Sequence, residues 1–237
     1  MSLNLGIIAS SRSSGISPEA PIVTSGLVAH YDAGNSTSYG GIGSTWNDLS
    51  VNALNATLVN SPVFNVLNGG NFIISQVLNN YVTVPHNSLF NFTTGITISV
   101  WIKTTKSVDG YIATKGENSF FLCVGPAGTT AGKASLFLQG TGGGWAQSAT
   151  TVSTGNWVNI TATWASNTTR FYINGALDST NTRSGTTLST GTSPVYFCWR
   201  NVPIMNANIS IYMFYNRALN ETEVLQNFNA RKSRYGL

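Results

Sequence analysis

The chain has 237 residues, of which 42% are hydrophobic and 11% aromatic, enough for one large domain with a sizeable core. Only 8% are Asp, Glu, Lys or Arg, against about 25% in an ordinary globular domain, so the surface must be built largely from Asn, Ser, Thr and Gly. Such a surface suits a protein held in an assembly or working outside a cell, and suits a charge-solubilised cytosolic enzyme poorly.

Residues 1–25 are Ser-rich with Pro18 and Pro21, carry no periodicity, and read as an arm or linker ahead of a domain over 26–237. The short apolar run near the start has no basic residue before it and reads as neither signal peptide nor anchor. From "GLVAHYD" onward, short strands alternate with turn residues. "ITISVWIKT" places Ile96, Ile98, Val100 and Ile102 on one face and Thr97, Ser99 and Trp101 on the other. "GYIATKG", "SFFLCVG" and "ASLFLQG" are each closed by Gly, and "NWVNITATWA" sets Val158, Ile160, Ala162 and Trp164 on one side. "RFYINGALDS" predicts a hairpin about Asn174-Gly175. In "ANISIYMFYN", Ile209, Ile211 and Met213 alternate with Ser210, Tyr212 and Phe214, a strand covered on both faces.

The chain closes with a helix. Asn220 and Glu223 form a capping box, Leu219 and Val224 a hydrophobic staple, and Val224, Leu225 and Phe228 the docking face. Arg231, Lys232 and Arg234 follow, either complementing the helix dipole or offering a patch to an acidic neighbour. The other basic residues form no stripe, which argues against a nucleic-acid partner, and no run reaches membrane-spanning length. Cys123 and Cys198 lie in apolar strands, as buried thiols or as a cross-strand disulfide, and their spacing excludes a zinc motif.

Taken in order, "GLVAHYDAGNSTSY", "TWNDLS", "YVTVP", "ITISVWIKT", "NWVNITATW", "FYINGALDS" and "YNRALNETEV" resemble the laminin-G-like, concanavalin A-like jelly-roll family. The resemblance implies an all-β fold: a two-sheet antiparallel jelly-roll sandwich with a short C-terminal helix. The opening "LVAHYDAGN" and closing "NRALNETEVLQNFNARKSRYG" are similar to domains of tailed-phage virion proteins, both fibres and capsid-surface proteins. This implies a non-enzymatic structural protein on the virion surface, oligomeric within its assembly. Its arm would bind other virion proteins and its body would adhere to host surface glycans. A stand-alone lectin-like module is the alternative.

Three chemistries deserve weighing against that expectation. Glycoside hydrolysis, known in some relatives of the fold, needs two carboxylates about 5 to 9.5 Å apart. The chain has eight acidic residues, and no strand carries two at i and i+2. His30 and His86 are isolated from any nucleophile motif. Calcium is held at the sandwich rim by many laminin-G-like domains, with six to eight oxygens. The acidic pair that such domains often carry before the strand matching "YVTVP" is Asn79-Asn80 here. Asp32 and Asp48 remain as candidate ligands for a single ion, or as turn caps in "YDAGN" and "WNDLS". Sugar binding needs an aromatic platform beside amides. Trp145, in "GTGGGWAQ", is one candidate, with packing against a neighbouring subunit as its other reading; Trp199, Arg200 and Asn201 form a second patch. Trp101, Trp157 and Trp164 lie in alternating strands and read as core.

Overall fold

The structure is a computed structural model that describes residues 21–116, 119–142, 144–200, 202–203 and 205–237. Most of the expected N-terminal arm and Asn201 therefore lie outside the described residues. The first half of the chain forms β1 (Leu27–Asp32), β2 (Thr45–Trp46), β3 (Ala56–Val59), β4 (Val63–Asn65), β5 (Asn71–Ile74) and β6 (Tyr81–Val84). There follow β7 (Gly95–Lys103), β8 (Gly110–Thr114), β9 (Phe120–Val124), β10 (Lys133–Leu138), β11 (Ala146–Thr151) and β12 (Trp157–Ala165). The last are β13 (Thr168–Ile173), β14 (Ala176–Thr182), β15 (Val195–Phe197), β16 (Trp199–Arg200), β17 (Val202–Pro203) and β18 (Ala207–Tyr215), before the helix α1 (Glu221–Asn229).

These strands make two antiparallel eight-stranded sheets and a small β16–β17 hairpin. The first sheet runs β14-β13-β12-β7-β18-β5-β4, with β1 sharing the free edge of β18 beyond β5. The second runs β11-β10-β9-β8-β15-β6-β3-β2. This is the two-sheet jelly-roll sandwich that the resemblance implies. Between the sheets lie Ile96, Ile98, Val100 and Ile102 of β7, with Val158, Ile160, Ala162 and Trp164 of β12. From the second sheet Ile112, Phe120, Leu122 and Val124 meet them. The β13–β14 turn is at Asn174-Gly175, both residues at positive φ (51° and 78°), the twist a two-residue hairpin requires.

The strand near the chain's end departs from strict alternation. A bulge between Ile209 and Ile211 shifts the register of β18 against β7. Ile209 therefore joins Tyr212 and Phe214 in the sandwich, whereas Ile211 and Met213 turn outward with Tyr215. One extra residue reverses the facing of all that follow.

The outer face of the first sheet is closed by the C-terminal segment. Asn220 caps α1 by accepting from the Glu223 backbone N–H (3.0 Å), and its own N–H donates to Glu223 Oε2 (2.9 Å). Arg217 donates to both Glu223 oxygens (2.8 and 2.7 Å), and that pair, foremost, lowers the Glu223 carboxyl below its ordinary range. Val224 and Phe228 are buried, but Leu225 is 45% exposed. The docked face is instead Val224, Asn227 and Phe228, the i, i+3, i+4 set of one helix side. Burying the two apolar members contributes about 3–6 kcal/mol, at about 1.5–3 kcal/mol each. Phe228 stacks on Trp101 (5.6 Å, 10°), as does Tyr235 (4.0 Å, 14°). Residues 21–25 are tied to the same helix and to the end of β18. Val23 N–H donates to Asn227 Oδ1 (2.8 Å), Gln226 to the Pro21 carbonyl (3.0 Å), and the Tyr215 hydroxyl to the Val23 carbonyl (2.9 Å).

The basic residues do not lie in the last turn of α1, which ends at Asn229; they fall in and beside a 3-10 turn, Lys232–Tyr235. The acidic neighbour they meet is in the same chain. Arg234 Nη1 reaches Asp32 Oδ1 at 2.7 Å and Arg231 Nε reaches Asp32 Oδ2 at 3.6 Å. This clasp joins the first strand to the chain's end.

Candidate functional site

The second sheet has a different outside. Alternation in β9 buries Phe120, Leu122 and Val124 inward and leaves Phe121 and Cys123 outward with Tyr111 of β8. Phe121 is paired with Thr114 and Phe137, and Thr114 with Tyr196, so one row of this face crosses four strands in register. Along it the rings touch in sequence: Tyr111 to Phe121 (6.2 Å, 88°), Phe121 to Phe137 (6.0 Å, 37°), and Phe137 to Trp145 (5.4 Å, 54°). Edge-on and tilted contacts at these distances are the preferred geometries of aromatic pairs.

Trp145 enters β11 from the glycine-rich turn, and Arg183 braces that turn from beyond β14. Its Nη2 donates to the Leu136 carbonyl (2.8 Å) and its Nη1 to the carbonyl of Gly144. Gly185 N–H also donates to the Thr141 carbonyl (2.6 Å). The glycine run alone suggests a loose loop; the buried guanidinium ties its Gly144 carbonyl to β10 and so fixes the indole beside it. Sequence reading missed this positioning residue, because Arg183 lies 38 positions from Trp145 and no local pattern links them.

Arg200, on the short strand β16, reaches the same aromatic row. Its Cζ lies 5.0 Å from the Tyr111 ring centroid and 4.9 Å from that of Phe121, and its Nη1 donates to the Tyr111 hydroxyl at 2.6 Å. Phe121, Phe137, Gln139, Trp145 and Arg200 together line a cavity of about 320 Å³. The two patches expected from sequence thus converge in part: Trp145 and Arg200 share one pocket. Trp199 does not enter it. It stacks on Tyr81 (5.3 Å, 24°) and against Tyr196 (4.3 Å, 43°), a second aromatic group three strands from Phe137. At about 4.8 Å per strand Tyr196 stands about 14 Å from Phe137, while Tyr111 of the first group lies on β8, the strand next to β15. Thr114 Oγ1 donates to the Trp199 carbonyl (2.9 Å) and holds β16 beside β8.

Burial holds neutral both the Cys123 thiol on this face and the Cys198 thiol in the core beneath it. Burial raises the Cys123 thiol well above its ordinary value and pushes the Cys198 thiol up to about 12. Both cysteines are buried and free, so the cross-strand disulfide does not form. Burial also raises the Tyr111 phenol, with Arg200 opposing. Among the described residues lining the cavity none is a carboxylate.

The candidate calcium ligands stand elsewhere. Asp48 accepts from the backbone N–H groups of His30 (2.8 Å), Ser50 (2.8 Å) and Leu54 (2.9 Å), and from the Ser50 hydroxyl (2.6 Å). Asp32 accepts from Gly34 N–H (2.9 Å) and is neutralised by the two arginines. A calcium ion needs free carboxylate oxygens converging on one point, and these oxygens are spent on turns and guanidinium groups. The donor set does not fit the ion. Asn79 and Asn80 serve the backbone too: Asn80 Oδ1 accepts from Ser75 N–H (2.7 Å), and Asn79 holds a positive φ of 52°. Trp157 is only partly buried, against Tyr235, whereas Trp101 and Trp164 are fully buried.

The laminin-G model of the Concanavalin A-like lectin/glucanases superfamily matches residues 76–225, more than half of the chain. The chain belongs to this superfamily. No curated protein matches it. Solved structures share its fold at low identity. The binding domain of Paraclostridial Mosquitocidal Protein 1 is 18% identical, with a TM-score of 0.65 over 87% of this chain and 52% of that one. The binding domain of botulinum neurotoxin DC, solved with rat synaptotagmin II, is 14% identical, with a TM-score of 0.68 over 88% and 52%. Domain 4 of a GH43 extracellular arabinanase from Geobacillus stearothermophilus, solved with arabinotriose, is 15% identical, with a TM-score of 0.62 over 85% and 97%. The chain therefore spans about half the length of the toxin binding domains and nearly all of the arabinanase domain.

Proposed function

We propose that this protein is a non-enzymatic carbohydrate-binding module carried on the surface of a phage particle. The observation that carries the binding half is the aromatic row of the second sheet, ending at Trp145 with Gln139 and Arg200 beside it. A sugar ring has an apolar face and a rim of hydroxyls, and partly buried rings flanked by an amide and a guanidinium complement both. The comparisons support this reading by analogy: the arabinanase domain was solved with arabinotriose, and cell entry of botulinum neurotoxin type C depends on two ganglioside molecules. Glycoside hydrolysis needs a carboxylate pair across the scissile bond, and the cavity lining offers none among the described residues. Binding of the full chain to a glycan array is the test. Trp145→Ala should lower retained signals about tenfold or more, an effect of the size expected for an aromatic anchor. Native protein that binds no glycan would end the reading.

The virion setting rests on the two terminal motifs and the charge-poor composition. There the module would be a capsid decoration or fibre-associated protein, oligomeric in its assembly, with the N-terminal arm ordered across a neighbouring subunit. Mass spectrometry of purified particles should find the chain in intact virions, and its absence would remove this setting while leaving the binding reading standing.

A further inference from the structure

The cavity at Trp145 contains a cation whose hydrogen-bonding capacity is not used up. Arg200 presents five N–H donors in a planar fork. One nitrogen donates to the Tyr111 hydroxyl, and the plane lies over two aromatic rings. Its Nε is buried and meets no acceptor among the described residues. No described carboxylate lies within ion-pair distance of it; the ion pairs of the described residues belong to Arg217, Arg231 and Arg234. Arg200 is only partly buried and lines the cavity, so N–H groups that meet no protein acceptor border its space. The two rings hold the guanidinium in place but use none of its N–H donors, and cation–π contacts are individually modest. The other cavity-lining residues are neutral: Phe121, Phe137, Gln139 and Trp145.

Resting on the carbohydrate-binding reading, we infer that the Trp145–Arg200 cavity selects an acidic sugar, a uronic or sialic acid residue, through its carboxylate. The apolar ring face would lie on Phe137 and Trp145, the hydroxyls would reach Gln139, and the carboxylate would take the free donors of Arg200. A guanidinium fork matches a carboxylate bidentately. A neutral sugar fills the same space and leaves the fork unpaired. The second aromatic group, Tyr81, Tyr196 and Trp199, lies along the same face and has no cation stacked on its rings among the described residues. It would hold neighbouring neutral residues of an oligosaccharide.

The test is calorimetric titration of the full chain with matched probe pairs: oligogalacturonate against its fully methyl-esterified form, and 3′-sialyllactose against lactose. In at least one pair the acidic member should bind about tenfold tighter or more, the scale of a charge-assisted hydrogen bond. Its affinity should fall with added salt while that of the neutral member does not. Arg200→Gln should bring the acidic-to-neutral ratio to about one, with circular dichroism confirming the fold. Trp145→Ala should weaken acidic and neutral members alike. Equal binding of acidic and neutral members by the native protein overturns the inference and leaves the lectin reading intact, and this arm needs no variant. A preference that survives Arg200→Gln also overturns it. Failure of the native protein to bind any probe overturns the inference and counts against the carbohydrate reading as well.

Discussion

His30 gives the protein a pH dependence whose sign follows from its surroundings. It sits in β1 opposite Met213, is 4% exposed, and its Nε2 has no hydrogen-bond partner among the described residues. Burial is the main reason its proton affinity drops from the ordinary 6.5 to about 4; Arg231 and Arg234 push the same way, and Asp32 and Asp48 oppose. Between those values the unfolded chain binds a proton that the folded chain refuses, so stability rises with pH through this window and is lost as pH falls. A drop from 6.5 to about 4, at about 1.4 kcal/mol per tenfold change, amounts to about 3 kcal/mol. Urea unfolding followed by tryptophan fluorescence, at intervals from pH 7 to pH 4, measures it. Native protein and His30→Gln should differ in slope over that interval, the variant lacking about 3 kcal/mol of the decline. Glu223, whose carboxyl lies below its ordinary range, loses its contribution at lower pH in both proteins and cancels in the comparison. Parallel stability profiles for the two proteins would refute the reasoning.

Other predictions concern the clasp, the helix and one turn. Asp32→Asn leaves two mostly buried guanidinium groups facing a neutral amide, and should cost about 3–5 kcal/mol at pH 7, read as a lower urea midpoint with unchanged slope. Phe228→Ala removes the stack on Trp101 and empties a space roofed by Gly175, whose added Cβ would lie 2.7 Å from the Phe228 ring. It should cost about 3–5 kcal/mol by thermal or urea unfolding, whereas Leu225→Ala on the exposed side should stay within about 0.5 kcal/mol. A Cβ on Gly34 would fall 1.7 Å from the Gly69 carbonyl oxygen; Gly34→Ala should destabilise by about 3 kcal/mol, the upper end for overpacking against atoms that cannot rotate away.

Where a strand buries one face against the other sheet and the pattern has period two, sequence reading locates it well. β7 and β12 show this, and the Asn174-Gly175 turn and the Asn220 cap are equally local signals. The failures are non-local. The bulge at β18 is invisible in "ANISIYM" because both faces there are apolar, so a one-residue slip leaves the pattern unchanged. Leu225 reads as core for the same reason: an apolar residue at i+1 carries no facing information until the docking angle is known. The partner of Arg234 is 202 positions away. "FFLCV" illustrates the limit for the site itself. Every residue in it is apolar and buried, and only pairing with β8 and β10 shows that Phe121 and Cys123 share the face that Arg200 and Trp145 reach.

The asymmetry between the two sheets bears most directly on function. Both carry aromatic rings on their outer faces, which in a free-standing sandwich would be surface to cover. On the first sheet the rings are used up: Trp101 lies against Phe228 and Tyr235, Tyr215 is buried beside Val23 and Asn227, and the Asp32 clasp holds the covering segment down. The cost of immobilising that segment is offset by burial in the same place. On the second sheet Phe137, Trp145, Tyr81, Tyr196 and Trp199 remain partly exposed, and α1 lies on the other side of the molecule. Yet Arg183 is buried there to fix the turn that carries Trp145, and Arg200 is held over two rings. Burying Arg183, and holding the partly buried Arg200 over two rings with no carboxylate among the described residues beside it, contribute little to a fold that already has a complete core between its sheets. Their placement is accounted for if the face they shape is completed by a ligand, which is why the binding reading is assigned to this face and not to the rim that Asp32 and Asp48 hold closed.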